Sequence, residues 1–139
     1  MRAVSRTLEH VGEWQVAIDA DTLEGVFTEA ARVVARALGT TRADSGGWER
    51  IAVQARTLAT LLVDWTNELL GRSETSGRAY AQVRNFQLRI ESSGAAHVSA
   101  EVRGRPVDVW SSPLKAATYH RLDLSQRDGR WHATLLFDV

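Results

Sequence analysis

The stretch Thr57-Leu58-Ala59-Thr60-Leu61-Leu62-Val63-Asp64-Trp65-Thr66-Asn67-Glu68-Leu69-Leu70-Gly71 decides how the rest of the chain is read. Leu58, Leu61, Leu62, Trp65 and Leu69 recur at i, i+3, i+4, i+7 and i+11, the repeat of one face of an α-helix. Thr57 offers an N-cap and Gly71 a stop, so the spacing predicts a helix over 57–70. A one-sided apolar stripe must lie on another apolar surface, and Trp65 at its centre reads as core. A second stripe precedes it: Leu23, Val26, Phe27, Ala30, Val34 and Leu38. Thr22 is its N-cap, with Asp21 and Glu24 near the positive helix end and Gly39 as the stop.

The segments outside these helices alternate. Trp14, Val16 and Ile18 share one face of a strand that begins at Glu13. Residues 49–55 form a short strand through Ile51 and Val53. Phe86, Leu88 and Ile90 alternate, as do Val98, Ala100 and Val102, and Ser92-Ser93-Gly94 between them suggests a hairpin. A last hairpin turns at Asp128-Gly129, with Leu122 and Leu124 before it and Trp131, Ala133, Leu135 and Phe137 sharing one face after it. Trp14 and Trp131 read as sheet-packing residues. Residues 40–47, 72–79 and 104–113 read as loops; the last holds both prolines. The solution with fewest parts is an α+β fold, with two main helices packed on one face of a mixed, largely antiparallel sheet. Residues 1–139 are expected to form a single domain.

Composition excludes several functions. Seventeen basic and 17 acidic residues give no net charge, against a dominant basic footprint, although a local patch remains open. Without cysteine there is no disulfide, thiolate metal site or cysteine nucleophile. No presequence and no apolar run long enough to span a bilayer is visible, so a soluble cytoplasmic protein with no membrane partner is expected. Among the basic residues only Lys115 is lysine, which reads as the mark of a GC-rich genome. His10, His97, His120 and His132 show no zinc spacing. There is no Walker A, GxGxxG or GxSxG motif.

The two ends are more informative. Near the start stands Leu8-Glu9-His10-Val11-Gly12-Glu13-Trp14. Near the finish stands Leu114-Lys115-Ala116-Ala117-Thr118-Tyr119-His120, and the last residues are Phe137-Asp138-Val139. Ends normally fray, so a strand running to the last residue must be tied down or internal to its sheet.

Together these segments resemble the archease family. Its pattern runs from an "EHTAD" segment and a "TLEE.F..AA" helix, through an "LL..WLNELL" helix, to "IKAVTYH", "G.W" and a terminal "FD" plus a β-branched aliphatic residue. Here Glu9-His10, Thr22-Leu23-Glu24 with Phe27, Ala30 and Ala31, Leu61 through Leu70, Leu114 through His120, Trp131 and Phe137-Asp138-Val139 follow in the same order over nearly the whole length.

The resemblance implies a partner rather than an enzyme. Archeases accompany the RtcB-type RNA ligase in tRNA splicing and RNA repair, promote its guanylylation and turnover, and do not themselves ligate. No sequence-specific nucleic-acid binding is implied. The family's divalent-metal site, usually assigned to calcium with magnesium as the alternative, uses the Asp of "HTAD" and the last two residues. Those positions fall on Glu13, Asp138 and Val139, the last through its backbone oxygen or terminal carboxylate. Converging carboxylates repel unless a cation or protons neutralise them, and hard oxygen ligands suit calcium or magnesium better than zinc or copper. A terminal ligand would also account for the chain ending at Val139. His10 and His120 are candidates for groups behind the ligands, against the plainer reading of structural histidines. Lys115 is a candidate contact to the ligase or its nucleotide-bearing site, against an ordinary surface lysine.

Two departures stand out. "HTAD" is His10-Val11-Gly12-Glu13 here, which keeps the charge but adds a methylene. Arg105 follows Gly104 where the family often has Glu, and the loop to Lys115 is short. Two further functions stay open: a chaperone-like modulator of another RNA-modifying enzyme such as a tRNA methyltransferase, and a metal-dependent hydrolase using Glu13 and Asp138.

Overall fold

The computed structural model describes residues 2–10, 12–44, 46–111 and 114–139, with the backbone alone for 7–10. Val11, Ser45 and Pro113, which belong to segments quoted above, lie outside the described residues, as does the side chain of His10.

The chain opens with an antiparallel hairpin, β1 (Ala3–His10) and β2 (Glu13–Ala20). β1 is too polar to announce itself as a strand; pairing with β2 defines it. Helix α1 (Leu23–Leu38) starts where expected, with the Gly25 N–H donating to Thr22 Oγ1 at 3.0 Å, and it ends at Gly39. β3 (Gly39–Thr41) follows at once, inside a segment expected to be loop. β4 (Glu49–Ala55) leads into α2 (Leu58–Ser76). Thr57 caps α2 in a reciprocal arrangement with Thr60, a device worth about 1 kcal/mol.

Gly71 does not stop α2, and residues 72–79 are not a loop. The helix continues to Ser76 and ends at Gly77, whose φ of 73° is left-handed and whose N–H reaches the Ser73 carbonyl at 2.8 Å. A glycine inside a helix costs only about 1 kcal/mol. The last turns are held from outside: Arg72 contacts Glu49, and the Tyr80 hydroxyl lies 3.0 Å from Ser76 Oγ and donates to Glu49 at 2.8 Å.

β5 (Arg78–Ile90) and β6 (Ala96–Trp110) form the predicted hairpin, but both are longer than predicted. Residues 104–110 are strand, not loop. They are bordered by β3 and by the start of β5, and Pro106 keeps a use in the ladder by accepting the Arg42 N–H at 3.0 Å. Gly104 permits the close approach: a Cβ there would stand 3.0 Å from the Tyr80 ring and 2.9 Å from Arg78 Cβ. β7 (Ala116–Arg127) and β8 (Arg130–Asp138) complete the chain. Asp128 (φ 55°) and Gly129 (φ 75°) form their two-residue turn, as the pair of residues demands.

The fold class is as expected, α+β with two helices against antiparallel strands. Among the described residues every strand pairing is antiparallel, and the strands divide into two sheets. One has the order β1-β2-β8-β7. The other is built on β6, with β5 on one side and β4 and β3 on the other. Both helices touch both sheets: α1 packs on β5 and on β1, β2 and β8, while α2 packs on β7 and on β4, β5 and β6. The width of the buried surface on α1 requires this, since Gly25 through Ala31 are all buried and one stripe cannot account for them. The centre is Trp65, Phe27 and Phe86, with ring centroids 5.6–6.1 Å apart. The buried indole of Trp65 donates to the Phe27 carbonyl at 3.0 Å. Trp14 and Trp131 pack against this core from the first sheet, as their strand faces predict.

Candidate metal centre

β8 is internal, lying between β2 and β7. Its end is therefore held on both sides. The Val139 N–H donates to the Gly12 carbonyl at 3.3 Å, and the Lys115 N–H donates to the Asp138 carbonyl at 2.9 Å. The Val139 side chain packs against the core.

The register places Glu13 directly opposite Asp138. Alternation turns both outward: Trp14, Val16 and Ile18 on β2 and Leu135 and Phe137 on β8 face the helices, so Glu13 and Asp138 occupy the other face. The bond from Val139 N–H to Gly12 brackets this pair, which makes it a non-hydrogen-bonded pair, the type in which opposed side chains come closest. Like charges placed so destabilise a sheet. Further along β2 and just beyond it the acids are matched. Asp19 bonds the His132 ring, and Asp21 bonds Arg130. Glu13 and Asp138 make no ion pair among the described residues.

Three of the expected residues thus meet at one end of the first sheet: Glu13, Asp138 and Val139. Lys115 joins them through its backbone, and its side chain is exposed. His10 is the backbone partner of Glu13 across the β1–β2 hairpin. His120 does not join them. It sits in the irregular part of β7 between Thr118 and Asp123, exposed, with its N–H on Thr118 Oγ1 at 3.2 Å.

The donor chemistry suits a hard divalent cation: carboxylate oxygens, with a main-chain oxygen of Val139 adjacent. The side-chain set stops at two. No group of three or more His, Cys, Asp or Glu among the described residues is arranged to hold a metal. Further ligands would be main-chain oxygens or water.

One contributor escaped the reading of the sequence. Asn67 on α2 donates to the Ala117 carbonyl at 2.9 Å and accepts the Ala117 N–H at 2.7 Å. Its amide does for the start of β7 what a neighbouring strand would do, one residue from the partner of Asp138. Asp64, also on α2, accepts the Tyr119 hydroxyl, and that bond, with a smaller contribution from burial, raises the Tyr119 pKa. Asn67 carried little signal of its own, standing among the polar residues Asp64, Thr66 and Glu68.

Comparison with known proteins agrees with this layout. Residues 6–139 match the Archease protein family (MTH1598/TM1083). The chain belongs to the archease family. The archease of Methanosarcina mazei is 30% identical over 137 residues, covering 95% of this chain and 93% of that protein. The archease of Methanopyrus kandleri is 29% identical, covering 95% and 96%. Protein 1598 of Methanobacterium thermoautotrophicum has a solution structure that matches with a TM-score of 0.76 at 20% identity, over 97% of this chain and 98% of that one. A crystal structure from Thermotoga maritima, described as an archease and possible chaperone, matches with a TM-score of 0.67 at 17% identity, over 100% and 98%. At those identities the two structures speak for the archease fold. No helix among the described residues is long and apolar enough to cross a membrane.

Proposed function

We propose that this archease activates an RtcB-type RNA ligase, promoting its guanylylation and turnover in tRNA splicing or RNA repair, in the cytoplasm and without catalysing a reaction itself. The observation that carries the reading is the pair Glu13–Asp138. Two outward carboxylates face each other on interior strands, at the positions the family pattern marks, and neither makes an ion pair among the described residues. Glu13, Asp138 and the main-chain oxygen of Val139 would hold a divalent cation, calcium before magnesium by the resemblance. Such a cation supplies neutralisation of the two acids and coordination positions for an oxygen of a partner. The chain's own part is to hold the two carboxylates on a rigid edge through β2, β7 and Asn67.

A pair on an outward sheet face, with Asp138 exposed and Glu13 half-buried, suits a regulator docking on another protein better than a hydrolase, which needs a cleft and a positioned base. Cavities of about 570 and 380 Å³ among the described residues lie elsewhere, both at the second sheet. A chaperone-like modulator of another tRNA-modifying enzyme is the second reading, supported by the description of the Thermotoga maritima relative.

The test is guanylylation of the cognate ligase with and without this protein, in the presence of calcium or magnesium. Stimulation is expected, and Glu13→Ala and Asp138→Ala should each remove most of it. Calorimetry should show each variant losing calcium affinity by about tenfold or more. An unstimulated ligase would sink the activator reading, and unchanged calcium binding in both variants would reject the ligands.

A further inference from the structure

The outward face of the second sheet is independent of the carboxylate pair. On β6 the buried residues Ala96, Val98, Ala100 and Val102 point to the helices, so His97, Ser99, Glu101 and Arg103 point out. Register adds their neighbours. Gln54 and Arg89 flank His97, Ala52 and Gln87 flank Ser99, and Arg50 and Arg84 flank Glu101. A groove of about 570 Å³ lies here, between Arg50 and Gln54 on β4 and Gln87 and Arg89 on β5, with His97 and Ser99 as its floor. That volume is in the range of small-ligand sites, roughly 300–1,000 Å³.

The face is basic in a chain with no net charge. Arg50, Arg84, Arg89 and Arg103 stand against Glu101 and Glu91, a formal surplus of two positive charges. Glu101 is already occupied by Arg84 at 3.1 Å and by Asn85, and the Arg84 bond holds its carboxyl below the usual range. Glu91, at the end of the groove, faces His97 at 3.3 Å. Arg50 and Arg89 are exposed and make no ion pair among the described residues.

Beside the groove two guanidiniums lie over one indole ring. The guanidinium carbon of Arg84 lies 4.1 Å from the Trp48 ring centroid and that of Arg103 lies 4.6 Å from it. Both guanidiniums are fixed, Arg84 by Glu101 and Arg103 by Gln82 at 2.6 Å. Arg84 remains half-exposed.

We propose that this face binds single-stranded polynucleotide without sequence preference, Arg50 and Arg89 taking backbone phosphates and the Arg84–Trp48–Arg103 stack supporting an unpaired base. Free cations on two strands match a chain of phosphates, and guanidinium and indole planes match the π-faces of bases. An acidic protein surface would use the arginines but has no such use for the stack. A duplex hides the faces that the stack would meet.

The test is fluorescence anisotropy of labelled oligouridylate and oligoadenylate with the full chain at low salt. Both should bind. Arg50→Ala/Arg89→Ala should weaken binding by about tenfold or more, and its log–log salt dependence should be shallower by about 1.4. Trp48→Ala should cost about tenfold. Arg127→Ala, on the first sheet, should bind as the parent does. Circular dichroism of each variant separates lost binding from lost fold. A parent chain that binds neither oligonucleotide overturns the proposal, as does a double variant that binds like the parent or an Arg127→Ala loss as large as that of the double variant. Loss of ligase binding by the double variant, with no oligonucleotide binding by the parent, would make the face a protein-docking surface and also overturn it. Glu13→Ala should leave oligonucleotide binding unchanged, so the proposal and the activator reading can fail separately.

Discussion

The outward faces of the two sheets carry opposite unmatched charge. On the first sheet, Glu13 and Asp138 oppose each other and make no ion pair among the described residues. On the second, Arg50 and Arg89 flank a groove and make no ion pair among the described residues. Other charges on each face are paired, Asp19 with His132 on one and Arg84 with Glu101 on the other. A net charge of zero conceals this, because the average is taken over two faces turned away from one shared core. Two opposed acids on one face and two unpaired arginines on the other point to something that supplies the counter-charge.

Three measurements would break or sharpen the comparison. Trp65→Ala should have the largest effect. It empties the junction of both sheets and leaves the Phe27 carbonyl without its donor, and we expect a loss of about 3–5 kcal/mol in urea unfolding. Both faces should fail together; if one kept its binding, the common core would not be what supports them. Asn67→Ala removes two partners of Ala117 and should cost about 1–3 kcal/mol. Calcium affinity should fall with it while oligonucleotide binding holds, since the side-chain bonds of Asn67 go to the first sheet; equal losses at both faces would remove the distinction. Glu13→Gln should have the smallest effect and an informative sign. In chelator it relieves like-charge repulsion and should stabilise the protein by about 0.2–1 kcal/mol. With calcium at about a hundred times the dissociation constant the parent should gain up to about 2.7 kcal/mol that the variant lacks, so the order of thermal midpoints reverses. The same order in both conditions would mean that Glu13 is no ligand.

Much of the fold was legible. The helix stripes, the caps at Thr22 and Thr57 and the Asp128-Gly129 turn are local signals, each contained in a few neighbouring residues. The errors share one cause. Gly71 and Pro106 look like breaks when only neighbours in sequence are counted, yet Arg72, Tyr80 and Arg42 hold the chain there from a distance. β1 was missed for the same reason: its strand state depends on β2. At the candidate site, Glu13, Asp138 and Val139 were legible by resemblance, and the register brings them to one end of one sheet. Asn67 was not read as a brace, because its role is a bond to a strand fifty residues away.

By itself the sequence determined the types of element, the apolar faces that must be buried and the archease pattern, because periodicity and turn chemistry act over a few residues. Only the tertiary structure decided that the strands form two sheets around the helices, that β8 is internal, and that Glu13 faces Asp138 while arginines from β4 and β5 border one groove. Those are matters of register and pairing between distant segments, and a charge count along the chain carries no information about which charges end up on the same face.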